Sequence, residues 1–260
     1  MPSILAIDIS NTHVALALWQ PDGSALHWQL ATELRRTPDE YRVLVDQLCA
    51  RDSVDCRAVD GVVMASVVPA VTSTFAMACR QLFGVAPLIV GPGVRSGLPI
   101  RTDDPREVGP DRIANAVAAR ARYGAPVIVL DFSTALILDV VDAKGDYVGA
   151  IIAPGLEVAA DALAKRTARL HRIELVLPPS PIANNTEQSL QSGLVLGYVG
   201  LVQGLVARLQ AEIGPARVVA TGDGPWVPGF VAATQVVDAY DPLLTLDGLR
   251  QIYAIQERRE

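Results

Sequence analysis

The chain has 260 residues, 50% of them hydrophobic, with a formal net charge of −6 and an isoelectric point near 5.1. This length suits two domains of ordinary size, and the core must be mostly aliphatic because only 5% of the residues are aromatic. An acidic chain without a cluster of Lys and Arg is a poor candidate for a nucleic-acid partner, which disfavours a DNA-binding regulator.

Cysteine usage and hydropathy indicate a cytoplasmic location. The three cysteines, Cys49, Cys56 and Cys79, are odd in number and lack metal-ligand spacing, which favours reduced thiols in a cytosolic protein. The N-terminus lacks a basic region followed by a long apolar stretch, so we expect no signal peptide. No apolar run approaches the ~20 residues that span a bilayer, and we therefore expect no membrane partner. The three histidines are scattered, and we interpret them as ordinary surface or half-buried residues.

The first predicted element is a hairpin with a polar turn. The stretch "ILAIDISNTHVALALW" contains an apolar run that ends at Asp8, then Ser10, Asn11 and Thr12, then an alternating apolar run. This periodicity predicts two paired strands, and a third strand follows a short glycine turn. The position of Asp8, at the end of a core strand, requires an explanation. So does Ser10, because glycine would fit a phosphate better in such a turn.

Strands and helices alternate after this hairpin. Residues 38–52 predict a helix with one apolar face and a proline at an early helical position. The other elements predicted in the first half are the strand "GVVMASVV", a helix over 72–83, the strand "APLIVG" and an alanine-rich helix over 111–122. Those predicted in the second half are helices over 157–167, 186–213 and 245–258 and the strand "ARVVATG".

The second half of the chain also opens with a copy of the first hairpin. The stretch "VIVLDFSTALILDVVDAKGDYVGA" repeats the order of strand, aspartate, Ser/Thr turn, strand, glycine turn and third strand. Asp131 matches Asp8, and Ser133 matches Ser10. The matched order predicts duplication of a whole domain.

A three-strand meander followed by alternating strands and helices in each half defines the expected architecture. We predict an α/β fold of two duplicated domains with mixed sheets flanked by helices and an inter-domain cleft. The N-terminal domain is predicted to span residues 1–119 and the C-terminal domain residues 120–260.

The two polar turns favour a site that binds phosphate and metal. Ligands of α/β proteins usually lie beyond the strand ends. Carboxylates at Asp8 and Asp131 are compatible with phosphates only if cations are present, and Mg²⁺ takes a carboxylate, waters and phosphate oxygens. Turn amides and the side chains of Asn11, Thr12 and Thr134 are suited to donate to phosphate oxygens. The alternative is that these polar residues only satisfy their own turns.

Two further segments carry candidate functional residues. In "GPGVRSGLPIRTDDPREVGPDRIANAV", Asp111 stands at the start of a predicted helix and follows several arginines. It suits an N-terminal cap, or a base that takes a hydroxyl proton while arginines hold an anionic substrate. In "PPSPIANNTEQSLQSG", Thr186 opens a predicted helix. It is either a helix start and nothing more, or part of a site for a carboxylate or phosphate.

These segments together resemble type III pantothenate kinases, members of the acetate kinase, sugar kinase and actin superfamily. The resemblance rests on "DISNTH", "GPGVRSGL", "PREVGPDRIANAVAA", "DFSTAL", "IIAPGL", "LAKRTARL", "NNTEQSLQSGLVLGYVGLV" and "VVATG", which follow one another in the family's order. It covers the chain nearly end to end. It implies an actin-like (ribonuclease H-like) fold, a homodimer, and transfer of a phosphoryl group from ATP to pantothenate, the first step towards coenzyme A.

The resemblance also implies roles for individual residues. Asp111 is implied as the base for the pantothenate hydroxyl. The implied cofactors are Mg²⁺ or another divalent cation near Asp8, and K⁺ or NH₄⁺ at Asp131, with ATP as co-substrate. The residues implied to bind nucleotide are Asp8, Ser10, Asn11, Thr12, Ser133 and Thr134, and those implied to bind pantothenate are Gly109, Pro110, Arg112 and Thr186.

Departures from the family pattern cluster on the nucleotide side. Ser10 and Ser133 replace glycines of the two phosphate loops, and Asp223 departs from the usual "ATGG". A non-glycine residue in the left-handed region costs ~1–2 kcal/mol, and an added carboxylate repels phosphate. Two hypotheses follow. One is an active kinase with adapted loops, and the other is a catalytically silent relative that binds pantothenate or a protein partner.

Overall fold

The computed structural model describes residues 2–167, 170–222 and 224–258, and its contacts divide into two units. Unit 1 comprises Met1–Leu98, Asp104–Ala118 and Leu243–Glu260, and unit 2 comprises Pro99–Asp103 and Ala119–Pro242. Each unit contains one five-stranded sheet with both parallel and antiparallel pairs. The α/β class with two mixed sheets is therefore confirmed.

The sheet of unit 1 has the strand order β3-β2-β1-β4-β5. Its strands are β1 (Ile4–Ile9), β2 (His13–Trp19), β3 (Ala25–Ala31), β4 (Gly61–Ser66) and β5 (Leu88–Ile89). The helices are α1 (Pro38–Arg51), α2 (Pro69–Phe83), α3 (Pro110–Tyr123), which continues into unit 2, and α8 (Leu244–Glu257). β1 and β4 are apolar on both faces, as expected of central strands covered on both sides.

The helices of unit 1 begin where the sequence provides caps. Thr37 accepts the backbone N–H of Glu40, and the Glu40 side chain reaches back to the Thr37 backbone, which forms a capping box before α1. Tyr41 and Phe75 then meet in the core with ring centroids 4.8 Å apart. Helix α2 begins at Pro69, three residues before the predicted start, because proline suits the first helical position.

The sheet of unit 2 has the strand order β10-β9-β6-β7-β8 and repeats the hydrogen-bonding plan of the first. Its strands are β6 (Val127–Phe132), β7 (Ala135–Val141), β8 (Tyr147–Pro154), β9 (Arg217–Gly222) and β10 (Ala239–Tyr240). Its further helices are α4 (Leu156–Arg166), α5 (Thr186–Gln191), α6 (Gly197–Ile213) and α7 (Val227–Thr234). β10 and α7 are absent from the predicted elements because both are short.

A helical run over Thr186–Ile213 joins α5 and α6 through a π-helical turn at Ser192–Leu196. This run of 28 residues is long and apolar enough to cross a membrane, by length and composition only. Core helices meet the same requirement, so the expectation of no membrane partner stays a prediction. Val199, Val202 and Val206 on one face of the run are buried in the core of unit 2.

The packing units differ from the predicted domains at Pro99–Asp103, which lies in unit 2, and at the end of the chain. The division inside α3, between Ala118 and Ala119, lies one residue from the predicted boundary. Helix α8, however, packs in unit 1. Its Gly248 lies so close to α3 that a β-carbon on this glycine would clash with the backbone of Ala114. A long-range contact of this kind carries no local sequence signal.

The two hairpins match in their turns as well as in their strands. Gly23 and Gly145 have φ of 89° and 83°, the left-handed region that glycine adopts at low cost. In each turn the glycine N–H donates to a carbonyl three residues earlier, at 2.9 Å in both. This agreement in geometry supports the duplication that the sequence predicts.

Candidate functional site

The first polar loop lies at the end of β1 in unit 1. Asp8 is the penultimate residue of β1, half-buried, and paired in register with Ala15 of β2 and Ala65 of β4. Asn11 and Thr12 are exposed at the tip. The arrangement presents a carboxylate, an amide and a hydroxyl within five residues.

Side-chain hydrogen bonds hold this loop in place. Thr32, just after β3, donates its Oγ1 to the Ser10 carbonyl at 2.8 Å and its backbone N–H to the Thr12 carbonyl at 2.9 Å. Ser10 Oγ lies 2.9 Å from the His13 carbonyl and 3.2 Å from the His13 nitrogen. Thr12 Oγ1 and His13 Nδ1 are 3.0 Å apart.

The serines at the glycine positions do not strain the backbone. Among the described residues that are not glycine, only Ser53 and Gln235 have positive φ. Ser10 and Ser133 therefore lie outside the left-handed region, and the predicted cost of ~1–2 kcal/mol does not arise at either position. Each side chain instead closes its own turn, since Ser133 Oγ donates to the Ala135 carbonyl at 3.2 Å.

The second polar loop connects β6 to β7 in unit 2. Asp131 is buried in β6, in register with Ile137 and Thr221, while Ser133 and Thr134 are exposed. The loop is one residue shorter than the first, because Phe132 pairs with Leu136 whereas Ile9 pairs with Val14.

Backbone contacts with two glycines hold the second loop. Gly155 donates its N–H to the Thr134 carbonyl at 3.1 Å, and a β-carbon there would clash with the Ser133 carbonyl and lie 2.6 Å from the Thr134 oxygen. Gly222 has φ of 130°, and its β-carbon would clash with the Phe132 carbonyl. Asp223, the residue after Gly222, lies outside the described residues.

Asp111 lies in the first turn of α3, which begins at Pro110. It is not the N-terminal cap, since Ile113 donates its N–H to the Gly109 carbonyl and the helix has already begun. Asp111 Oδ1 is buried and has no hydrogen-bond partner within the described part of the chain. This burial raises the pKa of the Asp111 carboxyl above its ordinary value, although the backbone N–H of Arg112 opposes the shift.

The residues around Asp111 explain its placement. A β-carbon at Gly109 would clash with Asp111 Oδ1, so glycine at this position makes room for the carboxylate. Pro110 fixes the first helical position, and Arg112 follows on the same turn. Thr186 lies on a different element as the first residue of α5, where Asn185 is the cap and accepts the Gln188 N–H at 2.9 Å.

Four supporting residues had no role in the sequence prediction: His13, Thr32, Gly155 and Gly222. Gly155 and Gly222 stood inside the quoted motifs "IIAPGL" and "VVATG", but their contacts are with a loop far away in sequence. Thr32 lies 22 residues from Ser10 and carries no motif. His13 was interpreted as an ordinary histidine, although its neighbour Thr12 was a candidate ligand.

The donors present suit a metal that is completed by its substrate. No group of three or more His, Cys, Asp or Glu residues that could hold a metal ion occurs among residues 2–167, 170–222 and 224–258. Mg²⁺ commonly uses one or two carboxylates together with waters and phosphate oxygens, so a single carboxylate such as Asp8 fits this mode. The three cysteines are buried free thiols. Burial raises the pKa of Cys79 to about 12, which disfavours the thiolate.

Comparison with known proteins gives consistent findings. A family model of type III pantothenate kinases matches residues 4–208. The type III pantothenate kinases of Moorella thermoacetica and Roseiflexus sp. RS-1 are 44% and 46% identical, each over 96% of this chain and 98% of the relative. The solved structure of a ROK hexokinase from Thermus thermophilus is similar in fold, with a TM-score of 0.53, 12% identity and coverage of 99% of this chain and 100% of that one.

Proposed function

This chain belongs to the type III pantothenate kinase family, and from that premise we propose how its residues divide the work. The protein is a kinase that uses ATP to phosphorylate pantothenate, giving 4′-phosphopantothenate in the first step of coenzyme A biosynthesis. Catalysis of phosphoryl transfer consists almost entirely of positioning and charge neutralisation. The two polar loops and the start of α3 supply groups of that kind.

We assign the nucleotide phosphates to the two loops. Thr12 and Asn11 in unit 1, and Thr134 in unit 2, donate to phosphate oxygens. Ser10 and Ser133 shape the two loops, since their backbone N–H groups donate to the His13 and Ala135 carbonyls. The exposure of Asn11, Thr12, Ser133 and Thr134 in both loops supports this assignment. Ser10 and Ser133 lie outside the left-handed region, so backbone strain at these positions does not argue against the assignment.

Asp8 is proposed to hold Mg²⁺, and Asp131 a monovalent cation, K⁺ or NH₄⁺. A divalent ion supplies charge neutralisation of the transferred phosphoryl group. The half-buried carboxylate of Asp8 at the mouth of the first loop suits a hard cation of this kind. Asp131 is a buried carboxylate at the end of β6, where a bound cation would offset the cost of burying its charge.

The proposal of a base rests on one observation, the buried Oδ1 of Asp111. A buried carboxylate oxygen without a protein partner is unfavourable unless a ligand satisfies it. The pantothenate hydroxyl is such a ligand, because it donates a hydrogen bond and then its proton to the carboxylate. Gly109 and Pro110 shape this turn, and Arg112 and Thr186 are proposed to bind the other polar groups of pantothenate, including its carboxylate.

A homodimer in the cytoplasm is the proposed working form. Gly193, Gly197 and Gly200 follow one face of the helical run, and a β-carbon at any of them would meet nothing within 4 Å. Leu201 beside them is 38% exposed. A smooth apolar helix face of this kind suits packing against a second copy of the chain. Sedimentation should give a dimer for the native protein and a monomer for Gly197→Glu.

The catalytically silent alternative is not favoured over the kinase. Its physical basis was strain at Ser10 and Ser133, together with repulsion from Asp223, and the serines are unstrained. This alternative predicts a chain that forms no product and binds pantothenate or a protein partner.

The deciding experiment measures 4′-phosphopantothenate formed by the purified protein with ATP, Mg²⁺ and K⁺. We expect product from the native protein and from Asp39→Asn, an exposed control on α1, and a severe loss in Asp111→Asn. No product from the native protein, with full activity only after Ser10→Gly/Ser133→Gly, would identify a silenced kinase. Full activity in Asp111→Asn would remove Asp111 as the base.

A further inference from the structure

We propose that His13 is a positioning residue that orients the Thr12 hydroxyl towards the nucleotide phosphates. The inference rests on the proposed function, because it takes Thr12 as a phosphate ligand. Its structural basis is the 3.0 Å separation between Thr12 Oγ1 and His13 Nδ1, in a loop whose backbone is fixed on both sides. His13 then acts through Thr12 and does not itself touch the phosphate.

The argument depends on the single hydrogen of the Thr12 hydroxyl. Where His13 Nδ1 is unprotonated, it accepts that hydrogen, and Thr12 has none left to donate to a phosphate oxygen. Where Nδ1 carries a proton, it donates to a lone pair of Thr12 Oγ1, and the hydroxyl hydrogen is directed elsewhere. A threonine that donates to phosphate in this loop therefore requires the Nδ1-protonated form of His13.

The loop geometry makes this contact specific. The backbone of His13 is held by Ser10, whose N–H donates to the His13 carbonyl at 2.9 Å. The Thr12 carbonyl is held by the Thr32 N–H at the same distance. With both backbones fixed, the two adjacent side chains face each other at hydrogen-bond distance. The second loop has Ala135 at the corresponding place, the first residue of β7, so only the first of the two loops contains this pair.

The experiment compares His13→Leu with His13→Asn, alone and combined with Thr12→Val. The amide N–H of asparagine can replace Nδ1–H as a donor, whereas leucine cannot. The side chain of His13 is exposed, so these variants leave the core intact. Binding of a non-hydrolysable ATP analogue with Mg²⁺ is measured by calorimetry, and KM for ATP and kcat are measured in the kinase assay.

We expect His13→Leu to weaken analogue binding by about tenfold and raise KM for ATP with little change in kcat. His13→Asn should stay within about threefold of the native protein. In the Thr12→Val background His13→Leu should have no further effect, because the hydroxyl that it orients is gone. ¹⁵N spectra of His13 should show Nδ1 protonated when the analogue is bound.

Several outcomes would overturn the inference. These are native binding in His13→Leu, an equal loss in the Thr12→Val background, an unprotonated Nδ1 in the complex, and a native protein that does not bind the analogue. A native protein that binds the analogue but forms no 4′-phosphopantothenate overturns the proposed function instead. In that case the calorimetry still decides whether His13 orients Thr12.

Discussion

The two polar loops have similar sequences but are held by different forces. The first loop, in unit 1, is held by hydroxyl and imidazole side chains from Thr32, Ser10 and His13. The second, in unit 2, shares the serine bond, through Ser133, but is otherwise held by the close approach of backbone at Gly155 and Gly222. A repeated sequence motif is therefore not stabilised by the same contacts in its two copies. The candidate groups of unit 1, Asp111 among them, are polar side chains, whereas glycine packing shapes the loop of unit 2.

The largest expected effect tests whether Asp111, in unit 1, acts as the base. Asp111→Asn should lower kcat by about 10²–10⁴-fold, the contribution of a positioned general base. In the native enzyme kcat/KM should fall as the pH drops through the raised pKa of Asp111, above the ordinary range of a carboxyl group. A pH–rate profile checks this. An acidic limb at the ordinary aspartate pKa would contradict it.

The same residue should show the opposite effect on stability. Between the ordinary carboxyl pKa and the raised pKa of folded Asp111, the folded protein binds more protons than the unfolded chain. The free energy of unfolding therefore falls as the pH rises through this window. Asp111→Asn should abolish that fall and raise the melting temperature at neutral pH. A lower melting temperature would indicate a structural role for the carboxylate.

The next largest effect tests the shape-based support of unit 2. Gly155→Ala or Gly222→Ala should reduce the free energy of unfolding by about 3 kcal/mol, because each β-carbon meets backbone that cannot move aside. Chemical denaturation measures this. The control is Gly229→Ala in α7, where a β-carbon meets nothing within 4 Å and a gain of up to ~1 kcal/mol is expected. Equal behaviour of all three variants would contradict the close packing described here.

A smaller effect tests the polar support of unit 1. Thr32→Val removes the Oγ1 hydrogen bond to the Ser10 carbonyl but keeps the backbone bond, and should cost about 1 kcal/mol of unfolding free energy. The matched control is Thr74→Val on α2, whose exposed hydroxyl bonds only within its own helix. We expect KM for ATP to rise in Thr32→Val and not in Thr74→Val. If both variants behave alike, the first loop does not depend on Thr32.

The smallest effect is expected at the two serines. Ser10→Gly and Ser133→Gly each lose a side-chain bond that closes the turn and add backbone freedom, for a cost of up to ~1 kcal/mol. KM for ATP should stay within about threefold, since neither serine is strained. A tenfold gain in activity on restoring both glycines would show that the serines impair the loops.

Much of this fold follows from local pattern. Hydrophobic periodicity predicts both hairpins and the helices from α1 to α6, since each buries one face. The placement of α8 in unit 1 depends on its contact with Ala114, more than a hundred residues earlier, and no local signal carries it. The strain expected at Ser10 and Ser133 was wrong because a residue type does not fix φ, and these loops keep both serines outside the left-handed region.

The sequence proposes ligands for the candidate site but does not indicate the residues that hold its loops in place. Asp8, Asp111 and Asp131 are carboxylates whose residue type already suggests chemistry. Gly155 and Thr32 act through distances that only the folded chain defines. The N-terminal cap considered for Asp111 failed for the same reason, because the proline before it starts the helix one residue early.

The twin glycine turns of the hairpins have a practical consequence for engineering. A β-carbon at Gly23 would meet nothing within 4 Å, whereas one at Gly145 would lie 3.2 Å from the Arg120 side chain, whose Nη1 also donates to the Gly145 carbonyl. Exposed tips of the first kind tolerate inserted peptides. The turn at Gly23 is therefore the place to graft an affinity tag or fluorophore, and the turn at Gly145 should be left intact.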